Sequence, residues 1–363
     1  MTSYLNPKNS IKSMITYRPS FGISENEKTI RLSANESAIG ASKKVLDALE
    51  NLKINPTKYP ETQDQILKNA ISKRYNLDSS KILLSNGSDE LLSLICLAYL
   101  DHGDEAIHSE HAFLVIPQAI KIAGGVPIIA KDKKMTVDTK NYKNLLSKKT
   151  KVIFLVNPNN PTGTKISNEQ IIDLHSKLPK NIVFVLDLAY AEYLDDNFSK
   201  PVIDLVENNE NVIMTRTFSK LHGLAGLRLG WAYCSKNILT TLASIRGPFS
   251  VNSIASYLGK LAVEDVEFQK KAKQHNKKWI SKFSEFLDQL KIKYIKSHTN
   301  FILIDFSNTR FKSKQFADLL AKRNILLRTM EPYCLNNYLR MSFGNDEEMR
   351  IVMQTFKEFL SCE

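Results

Sequence analysis

Cysteine is scarce and scattered: the 363 residues hold four, Cys96, Cys234, Cys334 and Cys362, with no C-x-x-C pair. That spacing argues against a disulfide framework, a zinc ribbon and a thioredoxin-like redox site. No H-E-x-x-H occurs among the seven histidines. His108 and His111 lie close together, but no second cluster completes a ligand shell, so structural or surface roles are expected for both and no metal is expected. Long apolar runs are missing too. The best candidate, Leu91 to Leu100, is about half of the roughly 18–20 residues that a bilayer crossing requires, so no membrane segment is expected. The first residues, Met1-Thr2-Ser3-Tyr4-Leu5-Asn6-Pro7, lack the basic-then-apolar order of a secretion signal, which makes the cytoplasm the expected compartment. No G-x-G-x-x-G is present, which argues against a dinucleotide site.

What is present is an ordinary globular composition, 43% hydrophobic and 24% charged, with a net charge of +12. Such a charge is compatible with nucleic acid, a membrane surface or anionic small molecules. The lysines are spread along expected helix faces, as in Lys270-Lys271 and Lys277-Lys278, and no RNA-binding aromatic motif or zinc-finger spacing accompanies them. A solvated basic surface is expected, without nucleic acid as partner.

From about residue 40 to 260, short apolar runs alternate with amphipathic stretches. Ile82–Ser85, Val152–Val156, Ile182–Leu186 and Val212–Thr215 are each rich in β-branched residues and each is followed by a loop and helical periodicity. Near-continuous apolar strands separated by helices predict an α/β architecture with a parallel sheet covered on both faces. After Asn252 the pattern changes. Trp279, Phe283, Phe286, Leu287 and Leu290 recur at helical spacing. Strands are then expected at Asn300–Phe306, Ile325–Arg328 and Tyr338–Phe343, with helices at Phe311–Lys322 and Asp346–Leu360. The pattern divides the chain into a large α/β domain, 40–262, and a small α+β domain made of 1–39 and 263–363.

Four segments following expected strands carry the chemistry, and ligands of open α/β sheets bind beyond the carboxyl ends of the strands. In Ser85-Asn86-Gly87-Ser88-Asp89-Glu90, Gly87 permits a tight turn into a helix whose first N–H groups suit a phosphate; an ordinary cap by Ser88 or Asp89 is the alternative. In Asn157-Pro158-Asn159-Asn160-Pro161-Thr162-Gly163, Asn160 precedes proline, cannot be helical, and offers an amide to a ring oxygen. Asp187, in Asp187-Leu188-Ala189-Tyr190, is delivered by an apolar strand and needs a cationic partner, either a salt bridge or a pyridinium nitrogen. In Thr217-Phe218-Ser219-Lys220, Lys220 supplies a nucleophilic amine, and Arg228, eight residues on, a fork suited to phosphate.

Asn-Asn-Pro-Thr-Gly, then Asp-x-x-Tyr, then Ser-Lys with an arginine eight residues later, resembles the class I/II aminotransferases. The similarity runs almost end to end, from Arg31-Leu32-Ser33-Ala34-Asn35-Glu36 through Lys58-Tyr59-Pro60-Glu61 to Tyr338-Leu339-Arg340-Met341. Within the class it is strongest to the branch that acts on histidinol phosphate in histidine biosynthesis. The resemblance implies the fold type I architecture of pyridoxal 5′-phosphate (PLP) enzymes, with a mostly parallel seven-stranded sheet. It implies that Lys220 holds PLP as a Schiff base and shuttles a proton, that Asp187 pairs with the ring nitrogen, and that Asn160 and Tyr190 hold the 3′-oxygen. Ser88, Asp89, Ser219 and Arg228 are implied at the phosphate, with Tyr59 reaching it from the other subunit of a homodimer. Phe113 is implied to stack on the ring, where relatives often carry tyrosine. Arg340 and Arg328 are implied to take the α-carboxylate and the distal anion, with Tyr17 and Asn35 on the substrate side. Leu188 stands where many relatives have glutamate. The expected reaction passes an amino group between a phosphorylated amino alcohol and 2-oxoglutarate. Aromatic aminotransfer, threonine-phosphate decarboxylation and a non-catalytic regulator on a degenerate scaffold are the competing expectations.

Overall fold

A computed structural model describes residues 8–12, 14, 28–60, 63–195 and 198–360. Its strands, in chain order, are β1 (Ile30–Arg31), β2 (Ile82–Ser85), β3 (Glu105–Ser109), β4 (Val126–Ala130), β5 (Thr150–Val156), β6 (Val183–Asp187) and β7 (Val212–Thr217). There follow β8 (Gly230–Cys234), β9 (Lys293–Ile295), β10 (Phe301–Asp305), β11 (Ile325–Leu326), β12 (Arg328–Thr329) and β13 (Tyr338–Ser342). Seven of them form one sheet in the order β2-β8-β7-β6-β5-β3-β4. Within it only β8 runs against the others.

Alternation along the central strands fills two cores, because successive side chains leave a strand on opposite faces. Ile153, Leu155, Phe184 and Leu186 enter one core with Leu67, Ile71 and Leu258. Val152, Phe154, Val156, Val183 and Val185 enter the other with Leu91, Ile95 and Ile116. Both faces are therefore apolar, which is why these strands read as continuous hydrophobic runs.

A third core lies around Trp279, Phe283 and Leu287 of helix Val266–Gln289, with Phe316, Phe356, Ile30 and Leu32. It is backed by the antiparallel sheet β12-β13-β10-β9 and the parallel pair β1-β11. Asn252 and Asp265 cap the two successive helices here, accepting from the backbone N–H of Ala255 at 2.8 Å and of Phe268 at 3.3 Å. No helix among the described residues is long and apolar enough to cross a membrane.

Two expectations shift. The strand placed at Ile182–Leu186 runs one residue later, so that Asp187 is its last member. The single strand expected at Ile325–Arg328 is two: Ile325–Leu326 pairs with Ile30–Arg31, and Arg328–Thr329 pairs with β13. The chain changes sheets at the buried Leu327, which faces the third core.

Below the sheet's carboxyl edge, Arg216 of β7 is 2% exposed and meets Glu192 at 3.0 Å. Its guanidinium lies over the rings of Tyr75 and Trp231 at 5.1 and 5.7 Å. Removing one member of a buried pair strands the other charge. Arg216→Met is expected to lower unfolding stability by about 3–5 kcal/mol. Urea titration of the purified variant checks this, and a loss below about 1 kcal/mol contradicts it.

Candidate active site

The seven-stranded sheet delivers its functional segments to one edge. β2 ends at Ser85, and Gly87, at φ 82°, turns the chain into helix Ser88–Tyr99. Glycine suits this turn because its φ lies where residues with a Cβ are strained, and its bare face also leaves room for the Arg228 guanidinium. Neither Ser88 nor Asp89 is the cap; Gly87 is, and it provides no side chain. The helix end thus presents backbone donors and the positive end of its dipole, with Gly230 packed beneath Ser88. Arg228 stands just before β8, whose Gly230 pairs with Ser85 and Thr217 at this same edge, in a left-handed conformation at φ 51°. It donates to the Ala225 carbonyl at 3.0 Å and to Ser219 Oγ at 3.4 Å. Its other Nη meets the Asp89 carboxylate at 3.4 Å. Ser88, Asp89, Ser219 and Arg228, which come from separate stretches of sequence, converge here.

Asp187 ends β6 at 4% exposure. Its Oδ1 accepts from Thr215 Oγ1 and from the Ala189 N–H, both at 3.2 Å. No cationic side chain pairs with it among the described residues. Burial pushes its carboxyl up to about 6, against the two hydrogen bonds that favour the ionised form. Lys220 follows β7. Its Nζ donates to the Ala34 carbonyl at 3.4 Å and stands 5.7 Å from the centre of the Tyr190 ring. Burial, with Arg340 adding to it, pulls its ammonium down to about 8.

Beyond these, Asn160 of the loop after β5 accepts from Arg340 Nη1 at 2.6 Å, which turns its amide N–H₂ the other way. Arg340 Nη2 donates to the Ser33 carbonyl at 2.8 Å, and its guanidinium covers the Phe301 ring at 5.2 Å. Its Nε is buried without a partner. Tyr190 packs edge-on against the same Phe301 and accepts from Asn35 Nδ2 at 2.8 Å. Arg328 and Arg340 are opposed residues of β12 and β13. Cross-strand partners share a face, so two buried arginine side chains leave the sheet on the same side.

Phe113 lies half-buried in the loop after β3, against the core that lines helix Ser88–Tyr99. That loop is tied to the next by Asn159, which donates to the His111 carbonyl at 3.0 Å. Tyr59 is apart from all of this, 73% exposed and stacked on Phe249 at 4.4 Å. Tyr17 falls outside the described residues. The sequence reading did not find Thr215, Ser342, Asn300 and Phe301. Thr215 was legible as the first polar residue after the apolar residues 212–214; the other three act through backbone and side-chain hydrogen bonds or ring packing that carry no spacing signal.

The family described as aminotransferase class I and II matches residues 27–356. Histidinol-phosphate aminotransferase of Nitrobacter winogradskyi is 39% identical over 335 residues, covering 92% of each chain. That of Paramagnetospirillum magneticum is 38% identical over 337 residues, covering 93% of each. The crystal structure of histidinol-phosphate aminotransferase from Sinorhizobium meliloti, in complex with pyridoxal-5′-phosphate, superposes with a TM-score of 0.89 at 22% identity and covers 99% of both chains.

Proposed function

The chain belongs to the class I and II aminotransferases, and from that premise we propose that it passes an amino group between L-histidinol phosphate and 2-oxoglutarate, with PLP as cofactor. The observation that carries this reading is the buried Lys220 amine, set beside Tyr190 at one edge of the sheet and within the electrostatic reach of Arg340 and Asp187. The residues fit the cofactor's chemistry. An uncapped helix end with Arg228 and Ser219 suits a phosphate, and a buried carboxylate without an ion pair among the described residues suits a protonated ring nitrogen.

When bound, the cofactor supplies an electron sink for a carbanion at the donor's Cα. Lys220 would hold it covalently, and its amine would carry the proton at the donor's Cα as base and then acid. Asp187 would keep the ring nitrogen protonated. Asn160 and Tyr190 would hold the 3′-oxygen, and Phe113 would cover the ring face. Arg340 takes the α-carboxylate of glutamate, and Arg328 takes either the phosphate monoester or the distal carboxylate, so that one pocket serves both substrates. Tyr17 completes the substrate side in this reading.

The reading includes a homodimer in which Tyr59 reaches the neighbouring phosphate, and it places the enzyme in the cytoplasm. Support for the dimer is the exposed apolar surface of Leu46, Leu49, Ile66 and Tyr257; helix Ser253–Glu264, which carries Tyr257, packs against both helices that carry the others. It also divides the chain into a large unit, 40–262, and a small one built from 1–39 and 263–363; helix Ser253–Glu264 packs on the first core and helix Val266–Gln289 on the third.

A donor panel with 2-oxoglutarate as acceptor tests the substrate. Histidinol phosphate is expected to exceed phenylalanine and threonine phosphate in kcat/KM by at least about tenfold, a difference of roughly 1.4 kcal/mol in transition-state binding. If phenylalanine is the best donor, the phosphate assignment fails. Release of carbon dioxide from threonine phosphate shifts the reaction class.

A further inference from the structure

Three consecutive residues reach three different members of the site. The Ser33 carbonyl accepts from Arg340 at 2.8 Å, the Ala34 carbonyl from Lys220 at 3.4 Å, and the Asn35 side chain donates to Tyr190 at 2.8 Å. Asn35 is itself pinned. It is buried and left-handed at φ 57°, a conformation asparagine tolerates better than most residues. Its N–H donates to Ser342 Oγ at 2.8 Å, and its carbonyl accepts from Asn300 at 3.0 Å.

The direction of the contact with Tyr190 follows from Ser342. That hydroxyl accepts from the Asn35 N–H at 2.8 Å and donates its single proton to Asn35 Oδ1, at 3.2 Å. The opposite end of the amide is then N–H₂, and it faces the phenol. Tyr190 therefore receives a hydrogen bond on its oxygen and retains its own proton for donation. Burial pushes the phenol's pKa well up, and the groups that face it are Arg340, Tyr333, Asp187 and Lys220.

We propose that Asn35 is a positioning residue that acts through Tyr190, committing the phenol's proton to the 3′-oxygen of the cofactor rather than binding substrate itself. The inference rests on the PLP reading above. A donor to an oxygen favours its anionic form. Tyr190 thus holds down the pH at which the bound cofactor takes up a proton, and Asn35, by polarising and aligning the phenol, strengthens that effect.

The test is a spectrophotometric pH titration of the holoenzyme's visible absorbance. Asn35→Ala is expected to raise the midpoint by about 0.5–1 pH unit, the worth of one neutral hydrogen bond. Tyr190→Phe raises it further, and adding Asn35→Ala to Tyr190→Phe moves it no more. Asn35→Asp keeps the shape, the tolerance of positive φ and the acceptor for Ser342, but replaces the donor with an acceptor. The phenol then turns its proton to the carboxylate, and the midpoint rises at least as far as in Asn35→Ala. A midpoint unmoved in both Asn35 variants, or an Asn35→Ala shift that persists without the phenol, overturns the proposal. A raised donor KM with an unmoved midpoint assigns Asn35 to the substrate instead and also overturns it. Failure of the PLP reading is distinguishable, because the wild-type protein would then show no titrating band.

Discussion

Lys220→Ala is expected to lower kcat by at least about 10³-fold, within the range attributed to a positioned acid–base group, and to remove the covalent link to the cofactor as well. The amine is placed for both tasks. Burial and the nearby Arg340 hold its pKa near 8, while Asp89 and Glu36 pull weakly in the other direction. A lysine at its usual value is almost wholly protonated at neutral pH and cannot attack; lowered to about 8, a useful fraction is free. Capture of PLP by the cofactor-free protein should accordingly quicken as pH rises and level off above about 8. The same shift acts on stability. The folded protein holds fewer protons than the unfolded chain between about 8 and 10.5, so stability rises with pH across that window. In Lys220→Ala both pH effects should disappear, while the fold, relieved of a desolvated amine beside a guanidinium, should be no less stable. Borohydride reduction followed by peptide mapping gives the decisive reading. A label on any other side chain would falsify the assignment.

The large sheet was legible because its central strands are buried on both faces. Thr150–Val156 and Val183–Asp187 have no polar alternation to confuse them with surface strands, and the loops after them carry prolines, asparagines and an aspartate that punctuate clearly. Strands β3, β4 and β8 were not read. The edge strand Val126–Ala130 is only partly buried and begins next to a glycine, and Gly230–Cys234 contains aromatic and small residues without a run of β-branched ones. Ile325–Arg328 was read as one strand because nothing in four residues reveals a change of sheet. In the site, the residues with an intrinsic chemical demand stood out: a carboxylate leaving an apolar strand, an amine after another. Their supporting partners did not. Ser342 and Asn300 matter through two side-chain hydrogen bonds each to the segment around Asn35, and the separation of 264 to 307 positions leaves no local trace.

Asp187→Asn should produce the second large loss, about 10²–10³-fold in kcat, the scale on which removal of a preorganised electrostatic partner acts. The substitution is nearly isosteric. An amide oxygen can still accept from Thr215 and Ala189, as Oδ1 does at 3.2 Å from each, so the geometry survives and only the charge is removed. That charge is costly without a cofactor. The carboxyl's folded-state pKa, near 6, lies above its ordinary 3.8 because burial disfavours the ion. Its contribution to stability is therefore fully present below about 3.8 and is lost as pH rises through about 6. At roughly 1.4 kcal/mol per pH unit the loss is on the order of 3 kcal/mol. Cofactor-free wild type should then weaken between pH 4 and 6 by an amount that Asp187→Asn escapes, and at neutral pH the cofactor-free variant should melt at a higher temperature. Adding PLP should reverse the order, since a protonated ring nitrogen gives the wild-type carboxylate the cation it lacks. The proposed role thus has one buried acid carry a destabilisation for the cofactor to relieve, and such perturbed groups cluster where chemistry is done. Thermal melts of both proteins, with and without PLP at pH 7, decide the matter: if cofactor stabilises the two equally, Asp187 is not its partner.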